Sequence, residues 1–411
     1  QVVFVNELSH TLARLGFRIT IANRGGYPHP ATGEMREGIS YYNEHERLVL
    51  LTDDNNEFVR KEDMDERLPQ LANSLTTLVE SENISIELMV SHYWDAAKLG
   101  VLYNERRREH IRHIWVPHSL GALKKRNMPP ETWEKLRIDE RIAHEKAFIP
   151  KLDGVAATSS AIRESLQNDY GYESDLFLPP CVDAKRFFPR EVPADHDIWH
   201  FISKTTGLPV EDVRNCRIIT EISRTDATKR KDVLIKAFAD VHRQHPDTLL
   251  VVAIDDRAED VAGELRELIE KEGVASHVAA IGQEKDRLPY LYAVTSVYCS
   301  PSVMEGFGMA VQEAAATQVP VVGSTKIPFV KEYLLGSDVR EESYSGMTGR
   351  PLQIGEGAIV VEADDVNGFV YALDLLLSDA QLHDNMGKRA HDITIPYFTW
   401  KDMASRLLKT M

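Results

Sequence analysis

At 411 residues the chain is too long for one ordinary core, and its length predicts two domains of roughly 200 residues each. Its 64 acidic against 48 basic side chains leave a formal charge of -16, which opposes general attraction to nucleic acid or anionic membrane, so any anionic ligand needs a local basic pocket. A hydrophobic share of 43% excludes wholesale disorder, and Cys181, Cys216 and Cys299, odd in number and without C-x-x-C spacing, predict no disulfide framework. A reducing cytoplasm is the expected compartment. Neither a signal peptide nor an apolar run near the roughly 20 residues of a spanning helix is read.

In chain order, helical periodicity begins at once, over 4–15, so a first strand and its loop are expected upstream. Strands follow at 18–23, 86–92, 113–118, 154–158 and 175–178, with an amphipathic helix at 64–80. His92-Tyr93-Trp94-Asp95 closes the second of these strands. A histidine and an aspartate there invite a catalytic reading, but the run reads better as a strand-to-helix turn with Asp95 near the helix start. Trp115-Val116-Pro117-His118-Ser119-Leu120-Gly121 places a histidine at a strand end before a loop that continues into Lys124 and Lys125. Such a histidine also suits a structural role, with its main chain left to serve a ligand. Lys61 and Arg141 add phosphate-seeking cations, each equally readable as a surface charge.

Residues 181–215, rich in Pro, Asp and charge, read as an interdomain connection with one short embedded helix. A second alternating series succeeds it, with strands at 217–222, 249–254, 277–281, 297–300, 319–323 and 358–361 and helices at 233–242, 261–271 and 366–377. Residues 340–357 read as an irregular insertion. Two such series predict an α/β protein with two Rossmann-like, doubly wound domains: 1–185, with 396–411 packing back on it, and 186–395.

Two motifs in the second half carry chemistry. Ser223-Arg224-Thr225-Asp226-Ala227-Thr228-Lys229 follows its first strand, where ligands of open α/β sheets gather, so Arg224 and Lys229 would neutralise a leaving diphosphate. A solvated helix start is the competing reading of that charge run. The run from Pro301 to Glu313 passes from a strand through Glu305, Gly306, Phe307, Gly308, Met309 and Ala310 into an Ala-rich helix. The glycines allow close backbone approach and the helix start offers free N–H groups to a diphosphate. Glu305 would then hold a donor sugar and Glu313 a ribose, each carboxylate accepting hydroxyl hydrogen bonds, although both also suit solvated helix-end acids. No Walker loop, H-E-x-x-H, G-x-S-x-G or complete G-x-G-x-x-G occurs, and no carboxylate pair for a divalent metal stands out.

Together these residues resemble glycosyltransferase family 4, and within it the sucrose-phosphate synthase group. The resemblance is carried by residues 1–8, Lys61-Glu62-Asp63, His118-Ser119-Leu120-Gly121, Ser223-Arg224 with Lys229, Glu305 with Glu313, and Phe398-Thr399-Trp400. It implies a GT-B enzyme whose two domains face across a cleft, retaining and without a metal, with no cofactor beyond a nucleotide-sugar co-substrate linked to UDP or GDP. His118, Arg224, Lys229 and Glu305 would be catalytic. Gln283, Gly306, Phe307, Gly308, Met309, Ala310 and Glu313 would hold the donor, and Gln1, Lys61, Lys124 and Arg141 the phosphate of a sugar-phosphate acceptor. The sequence Thr325-Lys326-Ile327-Pro328 stands where the family commonly has Gly-Gly-Pro, which leaves open a mannosyl relative, a non-phosphorylated glycoside or polyol acceptor, a GT-B epimerase or phosphorylase, and a non-catalytic binding module.

Overall fold

A computed structural model describes the chain apart from Gln1, Gln283 and Thr348, together with the side chain of Asn127. Two units emerge: Gln1–Pro180 with Trp400–Met411, and Cys181–Thr399. The terminal helix Trp400–Leu408 thus belongs to the first unit, where Trp400 meets the edge of Phe4 with ring centres 5.3 Å apart. Among the described residues no helix is long and apolar enough to cross a membrane.

The first unit holds two sheets besides a short two-stranded pair. In one, Ile19–Arg24 pairs in parallel with Glu46–Leu51, which takes Ile39–Asn43 antiparallel on its other side. In the other, Leu88–His92, Arg112–Val116, Gly154–Ala157 and Leu176–Phe177 lie in sequence order, all parallel. Parallel neighbours require crossovers, and the helices Trp94–Glu105, Ile138–Phe148 and Ser160–Tyr170 lie in the three of them. Trp115 is wholly buried in one apolar cluster with Tyr103, Phe148 and Leu120, which anchors the strand Arg112–Val116. His92 pairs with Val116, which makes the loops beginning at Tyr93 and Pro117 leave the sheet side by side.

The second unit is one eight-stranded sheet. Six parallel strands run in the spatial order Val278–Ile281, Thr248–Ala253, Arg217–Glu221, Thr295–Ser300, Val321–Ser324, Ala358–Val361. Numbered along the chain this is 3-2-1-4-5-6, the doubly wound order, whose direction reverses between Arg217–Glu221 and Thr295–Ser300. The Leu, Val and Ala of Thr248–Ala253 are buried without alternation, as a strand covered by helices on both faces demands.

Two expectations are corrected. Residues 340–357 contain the strands Arg340–Glu342 and Leu352–Ile354, an antiparallel hairpin that extends the sheet beyond Ala358–Val361. The stretch 181–215 holds two helices, Asp197–Thr206 and Val210–Asn215. Gly207, at φ +79°, ends the first with a left-handed residue, and Pro209 precedes the second.

Candidate functional site

The reversal point of the second sheet is where a ligand is expected, and the loops after its two central strands are tied together there. The Val303 N–H donates to the Thr228 carbonyl at 2.8 Å. Lys229 lies in the 3-10 turn Ala227–Lys229 and Glu305 in the loop before the helix Met309–Ala316. The Lys229 Nζ donates to Glu305 Oε1 at 2.5 Å and to the Met304 carbonyl at 3.0 Å, with the lysine 5% exposed and the glutamate 23%. The two residues singled out from separate motifs therefore form one ion pair.

Gly308 makes the turn into the helix at φ +117°, and a Cβ there would sit 2.9 Å from Ile327, so only glycine suits the position. A Cβ on Gly306 would meet nothing within 4 Å, which leaves open space over that backbone. The first amides of the helix, at Met309 and Ala310, have no carbonyl within the helix to receive them. The Phe307 ring is buried against Phe329, Tyr333 and Phe398, which leaves its main chain for the expected part in holding a donor. Arg224 lies apart from the Lys229–Glu305 pair. Its side chain is 81% exposed and lies 3.4 Å from Asp226, and no hydrogen bond among the described residues joins it to Lys229 or Glu305. A long cation on an exposed loop gains more from hydration and a neighbouring carboxylate than from approaching another cation.

Glu313 lies further along the same helix, beside the buried Tyr292. Burial pushes its carboxyl up to about 7, against the weaker opposing pulls of Tyr292 and Arg186. Gln283 falls outside the described residues, as does Gln1 of the other unit.

In the first unit the remaining cations converge on a residue that sequence reasoning treated only as part of a turn. Arg141 donates to the Tyr93 hydroxyl at 2.7 Å and Lys124 donates to it at 3.2 Å. The ring of the same tyrosine has Arg141 at 4.5 Å, Lys61 at 5.3 Å and Lys124 at 5.8 Å from its centre. Burial alone would raise the Tyr93 hydroxyl, but Arg141, Lys124 and Lys61 outweigh it and hold the group below the ordinary tyrosine range. Tyr93 has φ +81°, an uncommon conformation for a side-chain-bearing residue. Its backbone is clamped there: its N–H donates to the Val116 carbonyl at 3.1 Å and its carbonyl accepts from Trp115 Nε1 at 2.9 Å. A bulky residue at positive φ between a strand and a helix costs energy that the surroundings must offset, a pattern found at binding sites. No local signal in the sequence points to this role, since Lys61, Lys124 and Arg141 are all remote from Tyr93 along the chain.

Glu145 organises the rest of this cluster. It is fully buried, accepts from Arg141 Nε at 2.8 Å and from the Gly121 N–H at 2.9 Å, and receives the Tyr170 hydroxyl. Arg141 reaches the Ser119 carbonyl at 2.5 Å, so the guanidinium is fixed to the loop that follows His118. His118 itself has φ +55° and sits within a tight turn closed by Ser119 N–H to Pro117 carbonyl at 2.6 Å. Its ring lies 3.0 Å from His92 and meets the edge of Phe4. Burial pushes it down to about 3, so the imidazole is neutral near pH 7 and is no proton donor there. Asp95 is buried at the helix start, and its carboxyl is raised by that burial. Among the described residues no group of three or more His, Cys, Asp or Glu side chains gathers to hold a metal ion.

Comparison with known proteins agrees with this division. Residues 1–186 match the model of Glycosyltransferase Family 4 and residues 213–392 that of Glycosyl transferases group 1. Mannosylfructose-phosphate synthase of Agrobacterium fabrum is 25% identical over 99% of this chain and 85% of its own length. A probable sucrose-phosphate synthase of Thermosipho melanesiensis is 24% identical over 79% of this chain and 75% of its own. The structure of sucrose-phosphate synthase from Thermosynechococcus elongatus superposes with a TM-score of 0.72 at 20% identity, covering 99% of this chain and 91% of that one. With each half matched by a glycosyltransferase model and the fold shared over nearly its whole length, the chain is a glycosyltransferase of the GT-B fold, with a Glycosyltransferase Family 4 domain at residues 1–186 and a Glycosyl transferases group 1 domain at residues 213–392.

Proposed function

We propose that this enzyme moves a hexosyl group from a nucleotide sugar, UDP- or GDP-linked, to a sugar phosphate or related phosphorylated acceptor, with retention and without a metal. The observation that carries the proposal is the Lys229–Glu305 pair at the reversal point of a doubly wound sheet, beside a glycine-opened helix start. A diphosphate laid on the Met309 and Ala310 amides would draw Lys229 toward its oxygens, and Glu305 would be freed to accept hydrogen bonds from the donor sugar. The ammonium then supplies the charge stabilisation that a divalent cation gives elsewhere. Arg224, on its exposed loop, is assigned to the same diphosphate, and Glu313 to the ribose.

The acceptor assignment rests on the Tyr93 cluster. Three cations around one phenol, in a chain of charge -16, suit a dianionic phosphate better than they suit one another. The names of relatives that make mannosylfructose phosphate and sucrose phosphate support the same class. In the reaction the anomeric carbon–diphosphate bond breaks, a carbon–oxygen bond to the acceptor hydroxyl forms on the same face, and the hydroxyl proton passes to the departing diphosphate. No side chain is needed as base, in keeping with a His118 ring that burial, pushing it down to about 3, makes a poor proton acceptor. We assign the enzyme to the cytoplasm; none of its three cysteines forms a disulfide.

The test is incubation with UDP-, GDP- and ADP-sugars and paired phosphorylated and unphosphorylated acceptors, followed by nucleotide release and product mass. Transfer confined to phosphorylated acceptors is expected. A protein that neither binds nor releases nucleotide with any donor would refute the assignment.

A further inference from the structure

Beneath the loop that carries Arg224 lies an ion pair with almost no exposure: Lys231 at 1% and Glu221 at 0%. Glu221 ends the strand Arg217–Glu221, and Lys231 opens the helix Lys231–Gln244. The ammonium of Lys231 has three partners: Glu221 Oε2, the Ser223 hydroxyl at 3.0 Å and the Ser223 carbonyl at 3.3 Å. Glu221 Oε1 meanwhile finds no hydrogen-bond partner in the interior. A buried pair left with an unsatisfied oxygen is a poor source of stability, because desolvation offsets its attraction. Something other than stability is the better account of it.

The surrounding backbone shows what the pair does. The Ile222 carbonyl accepts from the Tyr298 hydroxyl at 3.2 Å, and the Thr225 hydroxyl accepts from the Asp255 N–H at 2.8 Å. Ser223 lies between these two anchors, and Lys231 holds it by both main chain and side chain. Residues 222–225 are thereby pinned by three separate elements, while the side chain that issues from this rigid base, Arg224, is 81% exposed with Asp226 3.4 Å away. The hydroxyl and carbonyl of Ser223 are the anchor points directly before Arg224.

We infer that the Glu221–Lys231 pair is a positioning device for the donor diphosphate: it fixes the Ser223–Arg224 backbone so that the exposed guanidinium starts from one place. Neither residue touches the ligand. The inference rests on the donor site proposed above, and it adds that donor affinity depends on two charges sealed beneath that site.

Removing Lys231 alone would strand a buried carboxylate and endanger folding, so the test replaces both, Glu221→Leu with Lys231→Met, which conserves volume and leaves no unpaired charge. The full-length double variant is compared with the unaltered chain by thermal melting, by titration with UDP and GDP, and by acceptor KM. The expected result is melting at or above the parent's, nucleotide affinity weaker by about tenfold, and acceptor KM within about twofold. In an Arg224→Ala background the same pair replacement should change nucleotide affinity by less than about twofold, because the positioned group is gone. A folded double variant that binds nucleotide like the parent overturns the inference, as does an equal loss toward donor and acceptor, which would mean general loosening. If the unaltered chain itself binds neither nucleotide, the donor site falls and the inference with it; that failure shows in the parent arm and is distinguishable from failure in the variant arm alone.

Discussion

The two cation sites solve the same electrostatic problem in opposite ways. In the second unit Lys229 is neutralised by Glu305, a one-to-one pair at 2.5 Å in which each partner has an alternative role when ligand arrives. In the first unit Lys61, Lys124 and Arg141 gather around Tyr93, with the buried Glu145 bound to Arg141 and Glu62 3.9 Å from Lys61. A paired lysine can exchange partners at little cost, which suits a group that must release its product. Cations gathered around one phenol present several donors to an anion at once and, on the proposed assignment, suit an acceptor that is recognised by its phosphate. On the proposed assignments, the difference teaches that the donor site is built to switch and the acceptor site to wait.

The sharpest way to break this contrast is to remove the switching pair. Lys229→Ala or Glu305→Gln should lower turnover by on the order of 10²-fold or more while far-ultraviolet circular dichroism stays unchanged. Near-normal rates in both variants would dissolve the donor half of the comparison. The next largest effect belongs to the waiting cluster. Tyr93→Phe or Lys124→Met removes one charge-assisted hydrogen bond, worth about 1.5–3 kcal/mol, so kcat/KM for a phosphorylated acceptor should fall by roughly 10- to 100-fold. Nucleotide affinity should not move. Measured against an unphosphorylated acceptor the same variants should lose far less, and an equal loss on both acceptors would show that the cluster is not a phosphate site.

How much of this was legible from the residues depends on what kind of interaction builds each part. Lys229 and Glu305 could be paired on paper because each follows a strand of a doubly wound pattern, and topology alone brings those strand ends together. Tyr93 was not legible: nothing in its side chain announces a φ of +81°, which is imposed by Val116 and Trp115 from the neighbouring strand. The exposure of Arg224 was hidden for the converse reason, since a rotamer chosen by hydration leaves no trace in spacing. The strand Glu46–Leu51 escaped because it opens with a glutamate, buried here against His10 at 2.5 Å. Arg340–Glu342, short and charged, pairs only because Leu352–Ile354 offers it an edge. Tertiary partners decide such segments, and local periodicity does not.

The smallest expected effect is a pH dependence at Glu313, and it separates the ribose assignment from the rest of the donor site. In the folded chain burial keeps this carboxyl protonated up to about 7, whereas the unfolded chain releases the proton near 4.5. Stability from the group is therefore fully present below about 4.5 and is lost as pH rises through about 7. Relative to Glu313→Gln, which cannot ionise, the ligand-free enzyme should lose on the order of a few °C in Tm between about pH 5 and pH 8. Nucleotide affinity should run the other way over that range, because ribose hydroxyls donate best to the ionised carboxylate, and the Gln variant should lack both trends. If stability follows the expected slope while affinity stays flat with pH, Glu313 is a buried acid that the ribose never touches. The pairing of Lys229 with Glu305 would then have to account for donor recognition without it.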